Sequence, residues 1–180
     1  DLVQGTGSNV AARLALGTSV NHRLRPNAGL TAMEWSNIQV PIVVPVTADQ
    51  TVNTSTKLVD TVMTQAVGAN EVWAFVVNLL MTGGSSIGFR VGVNGPTSPT
   101  AIVANATYWD AGGTMAGANV TAYGTIAAAS AAGGAGVVSV SGVLPNGPNA
   151  GTLAIRMANG AAAGVTTLFA GSQCVFTRIS

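Results

Sequence analysis

The sequence predicts an all-β protein, a jelly-roll-like β-sandwich preceded by an extended, mostly irregular N-terminal arm. Three observations carry that expectation. From Ile38 onward the chain holds about eight to ten short runs rich in β-branched and aromatic residues. Clusters of Gly, Pro and Asn stand between them, each able to turn the chain. No segment of any length repeats apolar residues at the helical period. Regularly spaced short strands of this kind build sandwiches or barrels. A chain of 180 residues accommodates one such domain with an extension. The expected division is an arm at 1–36 and a β-domain at 37–180.

Taken in order, the arm comes first. "GSNVAARLALGTSVNHRLRPNAGLTAMEW", Gly7 to Trp35, has two short apolar patches, three arginines and no run that a capped helix could use. "IQVPIVVPV" is β-branched, but Pro41 and Pro45 cannot donate to a ladder, which makes it an edge strand or extended arm. "TSTKLVDTVMTQAV" follows with mixed alternation. "EVWAFVVNLLMTG" places Trp73, Phe75, Val77, Leu79 and Met81 on one face and Val72, Ala74, Val76, Asn78 and Leu80 on the other. Both faces are apolar, the pattern of a central strand covered on both sides. A sandwich supplies only one cover, so a neighbouring subunit is expected to supply the second. This predicts a homotrimer with Val72, Ala74, Val76 and Leu80 at its interface.

The remaining runs alternate more simply. "IGFRVGV" points Ile87, Phe89, Val91 and Val93 inward and Arg90 outward, and "NGPTSP" supplies a turn. "TAIVANATYW" is a strand, "DAGGTMAGAN" a loop and "VTAYGTI" a short strand. "AAASAAGGAG" (Ala127 to Gly136) is low-complexity surface loop. "VVSVSGVL", "TLAIRMA", "GVTTLFAG" and "CVFTRI" complete the set, with Leu153, Ile155 and Met157 inward and Arg156 outward.

Composition bounds the function. Only 7% of residues are charged, against about 25% in an ordinary domain, and the net charge is +1. With 48% hydrophobic residues the chain is not a disordered solvating segment. It has no basic stripe for a phosphate backbone, so nucleic acid is not an expected partner. The longest apolar run, Val72 to Met81, falls far short of the ~20 residues that span a bilayer, so no membrane is expected either. The N-terminus is acidic and polar, without the apolar core of a signal peptide. So few charges on a folded protein fit an assembly component better than a free enzyme.

Chemistry-bearing residues are sparse. The one histidine, His22, lies in the arm, and the one cysteine, Cys174, lies in an apolar strand and reads as a small buried hydrophobe. A metal site needs several His, Cys or carboxylate ligands. Asp49, Asp60, Glu71 and Asp110 fall in separate segments, which disfavours the facing carboxylates of a glycosidase. "GTGSN" lacks the Lys-Ser/Thr of a phosphate loop. No enzyme, metal or organic cofactor is therefore expected. Tyr108 and Trp109, beside Asp110 at a strand end, are the candidates for contact with a host surface glycan. The small-residue loops Ala111 to Asn119 and Ala127 to Gly136 are candidates for adhesive contact.

The arm carries a resemblance. Gly5, Thr6 and Gly7, the stretch Ala12 to Thr18, then Leu24, Asn27, Ala28, Gly29, Thr31 and Ala32, and finally Glu34 with Trp35, resemble a segment that recurs in tailed-bacteriophage fibre proteins. "NHRL" stands where that family has G-Q-V-L, and Pro26 precedes Asn27 where a small or β-branched residue is usual. The likeness covers about one-sixth of the chain, and "GFRVGVNGPTSP" and the closing strands are similar to the β-domains that follow such segments. It implies a non-enzymatic homotrimer of jelly-roll-like domains on the virion surface, made in the bacterial cytoplasm. It also implies a docking arm, with Arg13, Leu14, Leu16, Leu24 and Trp35 as its contacts. The implied partners are other virion proteins. A fibre base would make the chain a surface fibre or spike component, and the major capsid protein would make it a capsid decoration protein. A polysaccharide depolymerase is the third reading, and the scarcity of titratable residues weighs against it.

Overall fold

The computed structural model describes residues 2–6, 10–14, 22–26, 33–37, 40–54, 57–83, 88–109, 114–124, 135–160 and 164–180. The chain forms two compact units, Asp1–Val40 and Pro41–Ser180. In the first, β1 (Leu2–Thr6) pairs antiparallel with β2 (Val10–Leu14), and β3 (His22–Pro26) pairs antiparallel with β4 (Met33–Asn37). Where the sequence suggests mostly irregular chain, five-residue strands therefore pair locally. Their regularity lies in the pairing, which satisfies backbone groups across two strands, and a five-residue strand is too short to show a period.

The second unit holds eleven of the described strands: β5 (Ile42–Pro45), β6 (Gln50–Val52), β7 (Val59–Val67), β8 (Val72–Thr82), β9 (Phe89–Asn94), β10 (Val103–Trp109), β11 (Met115–Val120), β12 (Ala135–Pro145), β13 (Gly151–Asn159), β14 (Thr166–Leu168) and β15 (Gln173–Arg178). All their pairings are antiparallel, and they build an eight-stranded and a three-stranded sheet. The fold is all-β, as expected, with its strands divided unequally between the two layers. The larger sheet runs β11-β10-β12-β8. Two strands then share the far edge of β8. β14 takes the end at Met81 and Thr82, and β15 takes the stretch from Asn78 back to Trp73. β6 extends β14 and β5 extends β15, so the proline-bearing strand lies on an edge. The smaller sheet runs β7-β13-β9.

One core cluster joins the two layers. Trp73, Phe75, Val77, Leu79 and Met81 of β8 meet Met63 of β7, Val91 and Val93 of β9, and Leu153, Ile155 and Met157 of β13. Room for the Phe75 ring is made by Gly142, which stands opposite it on β12. A Cβ there would lie 2.5 Å from the ring and 2.5 Å from the Ala104 methyl. The β7-β13 ladder shifts register between Ala154 and Arg156. The Thr61 hydroxyl fills the gap by donating to the Ile155 carbonyl at 2.9 Å, while the Met63 amide donates to the same hydroxyl at 3.2 Å.

The β-domain also differs from the sequence expectation in places. The stretch around Met115 to Asn119, expected as loop, is strand β11, and the expected strand beginning at Val120 is instead the end of β11 followed by a turn. Ala, Gly and Asn have weak strand preference, and it is the ladder offered by β10 that draws "MAGANV" into the sheet. Of the "AAASAAGGAG" stretch, Ala135 and Gly136 begin β12, and the rest lies outside the described residues.

Candidate functional site

The alternation of β8 puts Trp73, Phe75, Val77, Leu79 and Met81 in the core, each 5% exposed or less. The alternate residues form its outer face. Val72 and Ala74 are half-buried, and Val76 and Leu80 remain 50% and 40% exposed. This is the surface that the sequence assigns to a subunit interface.

The register carries that face across the sheet. Val76 stands beside Ser141 of β12 and Val175 of β15; Ser141 stands beside Asn105 of β10, and Val175 beside Val43 of β5. One row along, Ala74 adjoins Val143, and Val143 adjoins Val103. Polar residues interrupt the apolar rows: Ser141, Thr107, Gln173 and Thr177 stand on this face, and two further polar pairs bond each other. The Ser139 hydroxyl donates to Asn78 Oδ1 at 3.1 Å, and Asn105 Nδ2 donates to Asn119 Oδ1 at 3.0 Å. A shallow apolar notch of about 310 Å³ opens at one end, lined by Leu80, Met81, Gly136, Val137 and Phe169. Among the described residues, no charged side chain lies on this face of β5, β15, β8, β12, β10 or β11. The three-stranded sheet is different: Arg156 pairs with Asp60 across β13 and β7, with Nε to Oδ1 at 2.5 Å.

A second ion pair lies at the edge where the turns before β8 and after β12 meet. Glu71 Oε2 accepts the Gly68 amide at 2.7 Å and the Trp73 indole N–H at 2.8 Å, and Oε1 pairs with Arg178 at 2.9 Å. Burial pushes this carboxyl up, but the indole, the amide and Arg178 together outweigh it, and its pKa lies below the ordinary value. Asn146 fastens the adjoining turn, donating from Nδ2 to the Gly68 and Asn149 carbonyls at 2.7 and 2.8 Å. Gly147 is required beside it, because a Cβ there would lie 2.1 Å from the Ser98 carbonyl oxygen. This cluster is a structural clasp, with its carboxylate fully engaged.

The other residues singled out in the sequence are scattered. Tyr108 is 8% exposed and belongs to the core cluster, which corrects its assignment to glycan contact: the strand alternation turns its ring inward. Trp109 is the last residue of β10, opposite Met115. Asp110 and Leu16 lie outside the described residues. Arg13 and Leu14 fall on β2, opposite Val3 and Leu2, and Leu24 of β3 stands opposite Trp35 of β4. Cys174 is fully buried, and burial pushes its thiol up to about 12. The breadth of the outer face is not legible in the sequence, because Val43, Val103, Val137 and Val143 come from runs that each look half-solvated. Among the described residues no group of His, Cys, Asp and Glu could hold a metal ion, and no helix is long and apolar enough to cross a membrane.

No protein-family model matches the chain, and no curated protein matches it. Among solved structures, it is similar to the VP2 subviral particle of infectious bursal disease virus, at 12% identity over 91% of this chain and 48% of that one, with a TM-score of 0.19. A structure of the Gt strain of the same virus matches at 14% identity over 98% of this chain and 50% of that one, with a TM-score of 0.20. The chain spans about half the length of these structures, and at such TM-scores the likeness carries no argument.

Proposed function

We propose that this chain is a non-enzymatic structural protein of a tailed-phage virion, a homotrimeric surface fibre or spike component attached through residues 1–36 and able to contact the host. The observation that carries the reading is the uncharged outer face of the large sheet, with Val76 and Leu80 half-exposed in the isolated chain. An uncharged surface of this breadth, with half-exposed valines and leucine along it, fits an assembly component. The fibre-like motif from Gly5 to Trp35 supports the phage assignment. The three acidic side chains that the structure describes are all occupied structurally: Asp49 accepts the Ala170 amide at 2.8 Å, Asp60 pairs with Arg156 and Glu71 is held in the clasp. These structural roles weigh against catalysis by the three.

Purified virions and purified protein test the reading. Light scattering should give a mass of three 17.8 kDa chains. A gel of intact particles should show a fibre-like copy number of a few dozen or fewer. Hundreds of copies would instead identify a capsid decoration protein gripping the major capsid protein. Host polysaccharide incubated with the protein should keep its length, and depolymerisation would overturn the non-enzymatic reading.

A further inference from the structure

We infer that the uncharged outer face of the large sheet, extending over β5, β15, β8, β12, β10 and β11, is the contact surface between copies of this chain, with Val43, Val76, Leu80, Val103, Val137 and Val143 as its apolar contacts. The inference deepens the proposed assembly role and rests on it. Those six residues come from four strands, and each is between 37% and 61% exposed in the single chain. They add Val43, Val103, Val137 and Val143 to the Val76 and Leu80 read from β8 alone.

Three physical features select this occupant. The first is charge. The outer face of the small sheet carries the Arg156–Asp60 pair, as a solvated face does. The large sheet has no charge of either sign there, so a charged partner would find nothing to pair with, while a second copy meets it without repulsion. The second is the state of its polar groups. Asn78 with Ser139, and Asn105 with Asn119, already bond each other, and the Thr107 hydroxyl donates to the Ser139 carbonyl at 3.5 Å, which leaves Ser141, Gln173 and Thr177 as the polar contacts that a second copy would meet. The third is size. Six strands ~4.8 Å apart and about seven residues long give a face of roughly 24 by 23 Å. With side-chain relief this approaches the ~800 Å² that each partner contributes to a standard interface.

The two sheets provide a matched experiment. Val76 on the large sheet and Val62 on the small sheet both lie mid-strand on outer faces, at 50% and 49% exposure. Cys174 is buried and serves as a silent background thiol. In the full-length protein, Val76→Cys, Val103→Cys and Val62→Cys are labelled with a maleimide, while light scattering gives the mass of the same samples. Val76→Cys and Val103→Cys should react about ten-fold more slowly than Val62→Cys in a sample heavier than one chain. Equal labelling in a multimer overturns the inference and leaves the assembly role standing, since the copies then meet elsewhere. Equal labelling at single-chain mass overturns both. Protection at single-chain mass overturns the inference as well, because the chain then covers its own face.

Discussion

Ser172 occupies the point where two strands exchange places along the edge of β8. Between the β14 and β15 pairings the Leu80 amide has no ladder partner. It donates instead to the Ser172 hydroxyl at 2.9 Å, while the Phe169 amide donates to the Leu80 carbonyl at 2.9 Å. Ser172 is fully buried. Ser172→Ala removes the acceptor and should cost about 1–3 kcal/mol, read as a lower midpoint in urea unfolding without change of slope. Glu71 gives a second test, through pH. Its carboxyl is depressed in the folded chain, so its stabilisation is complete above the ordinary value of 4.5 and is lost as pH falls through the folded value. Thermal melts should therefore show the native protein losing stability as pH drops below about 4.5. Glu71→Gln should be less stable at pH 7 by about 1–3 kcal/mol and lose less on acidification.

Strand β12 is shaped around its neighbour. Its alternation would place a side chain at 142 in the core, but the Phe75 ring fills that space. Gly142→Val should cost about 1–3 kcal/mol or more by overpacking, seen as a lower melting temperature, and a compensating Phe75→Leu should recover part of it. The requirement at Gly142 is invisible in "VVSVSGVL", where glycine reads as a mild strand weakness. The same limit applies along the chain: a local pattern encodes a residue's side and not its neighbours across the sheet. The alternation in "EVWAFVVNLLM" and "FRVGV" reports each residue's own side, and those faces fall as the pattern requires. For Tyr108 a place at the strand end suggests exposure, whereas the in-out period of β10 continues through it and buries the ring. The breadth of the uncharged face depends on which strands lie side by side. That is set by contacts between residues distant in sequence, and no local period encodes it.

The two units of the chain make separable claims. Under the docking reading, deleting residues 1–36 should leave the melting temperature of the β-domain nearly unchanged while removing the protein from assembled particles, as measured on purified virions. Normal incorporation would show that attachment resides in the β-domain.

Each of the three strands that flank β8 follows it in the chain, and the last arrives late: Leu80 and Ser172 are 92 residues apart. At synthesis rates of about 5–20 residues per second, that separation is roughly 5–18 s of translation. Throughout that interval a long apolar strand stands on the ribosome with an unpaired backbone on one edge at least, and neighbouring nascent chains on the same message carry an identical strand. Its yield as soluble protein should therefore depend on holding chaperones and low growth temperature, even though the finished sandwich leaves the core side of β8 sealed.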